Sequence, residues 1–156
     1  MSTDGFRGSR TRRRLLTGSV LALAPWLPAH AAVDVLPDIP ALANFLAGRK
    51  PRLSRVRLEL PQLADNGQTV PMKVAVDGLF SAGSRVTAIH LFSEANPVPE
   101  MAVFEFPAPV DRVDVESRVR LAASQRIVAV ATMSDDVLYA AAAEVIVTIA
   151  GCMDGT

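Results

Sequence analysis

The 156-residue chain has one cysteine, Cys152, in its closing stretch "EVIVTIAGCMDGT". A thiol is the most nucleophilic of the ordinary side chains. It forms and breaks bonds to sulfur, and as a catalyst it needs a base beside it. The only histidine outside the first 31 residues is His90, which sits within an apolar alternating run far along the sequence from Cys152. A lone strand histidine reads as a packed or hydrogen-bonded residue. One cysteine and one histidine cannot build a dedicated zinc site, and Asp135-Asp136 reads as a solvated turn. There is no glycine-rich phosphate loop, no Gly-x-Ser-x-Gly elbow and no helical metal motif. The thiol therefore reads as something other enzymes act upon, and a self-sufficient thiol enzyme is disfavoured. No cofactor or metal is expected.

The positions around Cys152 narrow its use. Ile149-Ala150-Gly151-Cys152 spells a lipoprotein box, but such a box works only at the end of an N-terminal signal peptide. A prenylation signal places its cysteine fourth from the end before aliphatic residues, whereas Met153, Asp154, Gly155 and Thr156 follow Cys152. Val145, Val147 and Ile149 alternate with Glu144, Ile146 and Thr148, which reads as a last strand. Residues 150–156 then form a mobile arm, with Ala150, Gly151, Met153, Asp154 and Gly155 around the thiol. Three residues separate Ile149 from Cys152, a reach of about 10 Å when extended. Asp154 and the terminal carboxylate oppose thiolate formation, and no Lys or Arg follows Arg126. The free thiol is expected above its ordinary value of about 8.5.

The elements that must position this thiol begin with a leader. Thr11-Arg12-Arg13-Arg14-Leu15-Leu16 precedes the apolar run Val20-Leu21-Ala22-Leu23-Ala24, and Ala29-His30-Ala31 supplies the small residues of a cleavage site. Pro25 and Pro28 interrupt a run already too short to span a bilayer. Residues 1–31 read as a twin-arginine-type signal peptide, favoured over a plain Sec signal, and the product is expected in the periplasm. Its removal takes away five arginines and Asp4, leaving 125 residues with a net charge of −4 from 11 basic and 15 acidic groups. That balance excludes a nucleic-acid partner, and no second membrane segment follows.

Residues 32–149 read as one domain. "LPDIPALANFLAGRKP" predicts a short helix with Asp38 as N-cap, Ile39, Leu42, Phe45 and Leu46 on one face, and Gly48 and Pro51 as the stop. Period-two runs follow. Val56, Leu58 and Leu60 form one, and Val70, Met72, Val74 and Val76 the next. Thr87, Ile89 and Leu91 then share one face, with Val86, His90 and Phe92 on the other. Further runs lie at Ala102, Phe104 and Phe106, at Val113, Val115, Val119 and Leu121, and across residues 127–131 and 137–149. Asp65-Asn66-Gly67, Ser81-Ala82-Gly83, Asn96-Pro97, Pro107-Ala108-Pro109 and Asp135-Asp136 supply the turns. About seven short, regularly spaced strands without intervening helices predict an all-β, immunoglobulin-like antiparallel sandwich with a short N-terminal helix and a C-terminal arm.

The chain resembles the SoxY family, the sulfur-carrier subunits of the SoxYZ complex of bacterial thiosulfate oxidation. The resemblance covers nearly all of residues 32–156. It is carried by "AGRKP", "LELPQLADNGQTVPMKVAVD", "IHLFSEANPVPEMAVFEF", "SRVRLAASQRIVAVATMSDDVLYAAAAEVIVTIAGC" and the twin-arginine-like leader. It implies a carrier whose tail cysteine, here Cys152, holds each sulfur intermediate. The implied partners are a SoxZ-like subunit in a heterodimer, the cytochrome SoxAX that couples thiosulfate to the thiol, the hydrolase SoxB that releases sulfate, and the molybdenum enzyme SoxCD that oxidises the remaining sulfane sulfur. The family tail is typically Gly-Gly-Cys-Gly-Gly, so Ala150, Met153 and Asp154 depart from it. A second interpretation, a periplasmic binding or assembly module with an incidental cysteine, differs in surviving Cys152→Ser.

Overall fold

The computed structural model describes residues 35–78, 83–110 and 112–149. The expected leader at 1–31 and the expected arm at 150–156 lie outside the described residues. One helix and eight strands follow in order: α1 Pro40–Leu46, β1 Val56–Glu59, β2 Leu63–Ala64, β3 Val70–Val76, β4 Val86–Ser93, β5 Glu100–Glu105, β6 Val113–Val119, β7 Gln125–Met133 and β8 Leu138–Val147. One sheet has the order β1-β3-β6, the other β2-β8-β7-β4-β5. All pairings are antiparallel except β2 with β8. The fold is an immunoglobulin-like β-sandwich, as the strand spacing predicts.

Alternation along the strands builds the core between the sheets. Val70, Val74, Ile89, Leu91, Ile127 and Val145 are fully buried there. Pro71 lies in β3 where β1 has already ended at the Glu59↔Lys73 pair, so its missing N–H forgoes no bond to β1. β7 does not alternate in burial. Ile127, Ala129 and Ala131 face the inner core, while Val128 and Val130 face a second cluster under the helix. Ile39 and Leu42 of that cluster are almost fully buried, each contributing roughly 1.5–3 kcal/mol. Helix α1 thus covers the outer face of the five-stranded sheet beside Phe92, Leu138 and Ala140, with Phe45 and Leu46 packed at its margin.

Three local expectations are corrected. The N-cap is Ile39 and not Asp38, and no side chain caps the helix. Pro40 at the first helical position needs no donor and holds the preceding residue extended, at φ −113° and ψ 114°. Val86 lies in the inter-sheet core with Ile89 and Leu91, not on the face of His90 and Phe92. A bulge between Val86 and Ala88 adds one residue to β4 against β7 and reverses the alternation. The eighth strand, β2, is two residues long, below the length at which alternation shows.

Candidate functional site

The root of the expected arm is held from two sides. β7 pairs with β8 as far as Gln125↔Val145, and beyond that point the hold passes to residues 62–67. Ile146 N–H donates to the Gln62 carbonyl at 2.8 Å, Thr148 N–H to the Ala64 carbonyl at 3.1 Å, and Gly67 N–H to the Ile149 carbonyl at 2.8 Å. Thr148 Oγ1 adds a bond to the Asp65 carbonyl at 2.7 Å, and Ser124 Oγ accepts from Val147 N–H at 2.9 Å. The turn at Asp65-Asn66-Gly67 has its predicted chemistry, with Asn66 Oδ1 accepting from Gln68 N–H at 2.8 Å. Its use was not legible: it fastens the chain up to Ile149, three residues before Cys152.

A polar cluster stiffens the end of the sandwich from which the chain leaves. Gln125 Oε1 accepts from Ser93 Oγ and from Ala95 N–H at 3.0 Å. Gln125 Nε2 donates to Asn96 Oδ1 at 3.0 Å and to the Ala123 carbonyl at 3.1 Å. Asn96 in turn donates to the Arg120 carbonyl at 2.7 Å, and its Oδ1 accepts from Ala122 N–H at 2.9 Å. Ser93 and Gln125 are the two buried polar side chains among the described residues, and both are satisfied. The network ties residues 94–99 and 120–124 to the start of β7, the strand that pairs with the arm's root. In the sequence Asn96 reads only as a turn residue, and Gln125 carries no distinguishing sign. A glutamine at a strand's first position carries no visible sign of burial.

On the outer face of this end, Arg126 holds Glu94 through Nη2 at 2.7 Å and Nε at 3.1 Å, with Glu144 opposite on β8. The hydrogen bond from the Arg126 side chain is the main reason that the Glu94 carboxyl lies below its ordinary value of 4.5. A carboxyl lowered on folding stabilises the folded state above its unfolded value and loses that contribution as pH falls through the folded value. Both partners are about one-third exposed, so the loss is expected to stay under about 1 kcal/mol. Urea midpoints of wild type and Glu94→Gln should differ above pH 4.5 and converge in stronger acid. Beyond this row Leu63 and Ile146, paired across β2 and β8, are 56% and 54% exposed, and Ile149 is 62% exposed. Apolar side chains are thus exposed on the segments that fasten the last described residues.

The structure places His90 on β4, its Nδ1 2.8 Å from Glu100 Oε1 and its ring centroid 4.3 Å from that of Phe45. That is the packed, hydrogen-bonded role the sequence suggested. Asp135-Asp136 forms a turn, with Asp136 at φ 63°. Among the described residues no three His, Cys, Asp or Glu side chains group as metal ligands, and no helix is long and apolar enough to cross a membrane. Cys152 and its neighbours Ala150, Gly151, Met153, Asp154 and Gly155 lie outside the described residues.

The family model for sulfur oxidation protein SoxY matches residues 42–152. Among solved structures the chain is similar to the sulfur carrier protein SoxY from Chlorobium limicola f thiosulfatophilum, at 32% identity and a TM-score of 0.55, covering 70% of this chain and 94% of that one. It is also similar to a superoxide reductase (neelaredoxin) from Ignicoccus hospitalis, at 20% identity and a TM-score of 0.52 over 60% of this chain and 80% of that one. That second likeness shows a shared fold alone. No curated protein matches the chain. A sandwich with a fastened C-terminal root, matched over its length and into the terminal cysteine, belongs to the SoxY family of sulfur oxidation proteins.

Proposed function

We propose that the chain is a periplasmic, covalent sulfur carrier that is not itself an enzyme. Cys152 holds thiosulfate-derived intermediates, and residues 150–156 act as the arm that presents them to partner enzymes. One observation carries this reading: the backbone is fastened through Ile149, and the family match continues past it to end on Cys152. About 10 Å of extended chain then separates a rigid root from the thiol, enough to enter a cleft in another protein. Leu63 and Ile146, exposed neighbours across β2 and β8, offer apolar surface for the short-lived docking that each handover requires.

The chemistry begins when the Cys152 sulfur bonds to the sulfane sulfur of thiosulfate, with loss of the thiol proton and transfer of two electrons to a SoxAX-type cytochrome. Hydrolysis by a SoxB-type enzyme breaks the bond to the sulfonate group and releases sulfate, leaving a sulfane sulfur on the cysteine for a SoxCD-type oxidase. A SoxZ-like subunit completes the carrier as a heterodimer. In a mixture of these enzymes, omitting this chain should abolish thiosulfate-dependent cytochrome reduction, and adding it back should restore the rate in proportion to the amount added. Reduction by the isolated chain would indicate a thiol enzyme. Unchanged reduction without it would indicate a binding or assembly module.

Asp154 sets the reactivity of the free arm. At about 6 Å in water its charge opposes the thiolate by about 0.7 kcal/mol, or half a pKa unit. Asp154→Gly should lower the thiol pKa by that amount. Alkylation near neutral pH should then rise only about twofold, because a less basic thiolate is a weaker nucleophile. Rates of iodoacetamide alkylation against pH test this, and an unchanged profile would show that Asp154 does not act on the thiol.

A further inference from the structure

An open groove of about 580 Å³ lies on the outer face of the three-stranded sheet, at the end where β1 stops short of Pro71. Leu60, Pro61 and Pro71 form its apolar wall. Pro61 and Pro71 have no N–H, so this wall lacks the donors that a visiting strand would need. An occupant is held here through side chains.

Four charged side chains also line the groove, and three of them are engaged. Lys73 Nζ lies 2.9 Å from Glu116 and 3.3 Å from Asp114, and Glu59 lies 3.5 Å from Arg57 Nε. The fourth, Arg118, has no side-chain partner among the described residues and stands opposite Pro71, which has no charge to offer it. A free guanidinium thus sits beside an apolar wall. That combination fits an acidic residue next to an apolar one.

The closing stretch of this chain carries such a pair, Met153-Asp154, within reach of the groove. The Ile149 carbonyl accepts from Gly67 N–H, and the Gly67 carbonyl accepts from Leu121 N–H, both at 2.8 Å. These two steps, with the three residues from Leu121 back to Arg118, put Ile149 at most about 22 Å from Arg118. Residues 150–154 span about 17 Å when extended, and the Arg118 and Asp154 side chains close the rest. No Lys or Arg follows Arg126, so the closing stretch gives Asp154 no cation of its own. Glycine at positions 153 and 154 could make neither contact.

We propose that the groove receives Met153 and Asp154 of the same chain, the aspartate on Arg118 and the methionine against Leu60, Pro61 and Pro71. The arm then has a resting place on its own domain. An exposed ion pair is weak and screened by salt, so the arm visits the groove and leaves it, and a partner's cleft competes with the groove. Cys152 lies in the span between Ile149 and the groove, outside the contact. The contact rests on reading residues 150–156 as an arm but needs no sulfur on Cys152, so its failure leaves the carrier chemistry standing.

The test places a nitroxide on Cys152, the only cysteine, in the full nitrogen-15-labelled chain before the unlabelled SoxZ-type subunit is added. At low ionic strength the amide signals of residues 60, 73 and 118 should lose at least threefold more intensity in wild type than in Arg118→Glu. Salt at about 0.5 M should remove the difference. Adding Asp154→Arg to Arg118→Glu should restore it, and Arg120→Glu, outside the groove, should leave it intact. Equal loss in wild type and Arg118→Glu, or no loss in either, would overturn the proposal. Broadening of an isotope-labelled chain by a separate nitroxide-bearing copy would overturn the choice of occupant, because the groove would then take a second copy's tail.

Discussion

Cys152→Ser is expected to reduce thiosulfate-dependent electron transfer in the reconstituted mixture to the background seen without the chain. A serine oxygen cannot form the sulfur–sulfur bond on which each later step depends, and its hydroxyl is not ionised near neutral pH. The substitution lies three residues beyond Ile149, the last residue with a described backbone hydrogen bond, so the described packing is untouched. Melting temperature and association with the SoxZ-type subunit should therefore match wild type. Retained electron transfer would reduce the cysteine to an incidental residue and favour the binding-module reading.

Gln125→Ala is expected to destabilise the fold by about 3–5 kcal/mol, because each buried polar group left unsatisfied costs roughly 1–3 kcal/mol. The substitution strands Ala95 N–H and leaves Ser93 Oγ and Asn96 Oδ1 without the contacts Gln125 supplies. For a domain of this size the melting temperature should fall by roughly 10–20 °C, with the denaturant midpoint lowered at constant slope. Gln125→Glu keeps an acceptor but loses the amide donor and buries a charge, so it should not rescue. Hydrogen exchange should quicken first in residues 94–99 and 120–124, the segments the side chain joins. A loss below about 1 kcal/mol would show that water replaces the glutamine without cost.

The main lines of the fold were legible where one face of an element meets the core and the other meets solvent. β3 shows this clearly, with Val70, Met72 and Val74 buried and Pro71 exposed between them. Legibility failed where a second layer or an irregularity intervened. β7 loses its alternation because α1 covers its outer face, so residues 127–131 read as a strand without revealing which side is inner. The alternation puts Val86 on the wrong face because a bulge consumes one residue, and a bulge leaves no periodic sign in one sequence. The helix start was displaced by one residue because Pro40 fixes it sterically, a stronger constraint than the side-chain cap expected of Asp38.

The functional end divides in the same way. Cys152 stands out by residue type and position, and His90 is packed and hydrogen-bonded within β4 as a lone strand histidine suggests. The fastening of the root did not stand out. Val147, Thr148 and Ile149 read only as the end of a last strand, whereas much of the observed hold comes from backbone groups of residues 62–67, whose bonds no side-chain pattern reports. Gln125 and Asn96 were invisible as a unit because they lie 29 residues apart and meet only in the folded chain.

The central claim is that sulfur is carried on the tail thiol. Arg126 is the last basic residue, so trypsin releases residues 127–156 as one peptide that contains the only cysteine. The most direct test incubates the chain, with its SoxZ-type subunit, with thiosulfate and the coupling cytochrome in its oxidised form, and then measures the mass of that peptide without reductant. A covalent thiosulfate adduct on Cys152, removed by dithiothreitol and shortened to a sulfane sulfur by the hydrolase, is the predicted result. An unmodified peptide from a mixture that has turned over thiosulfate would contradict the account.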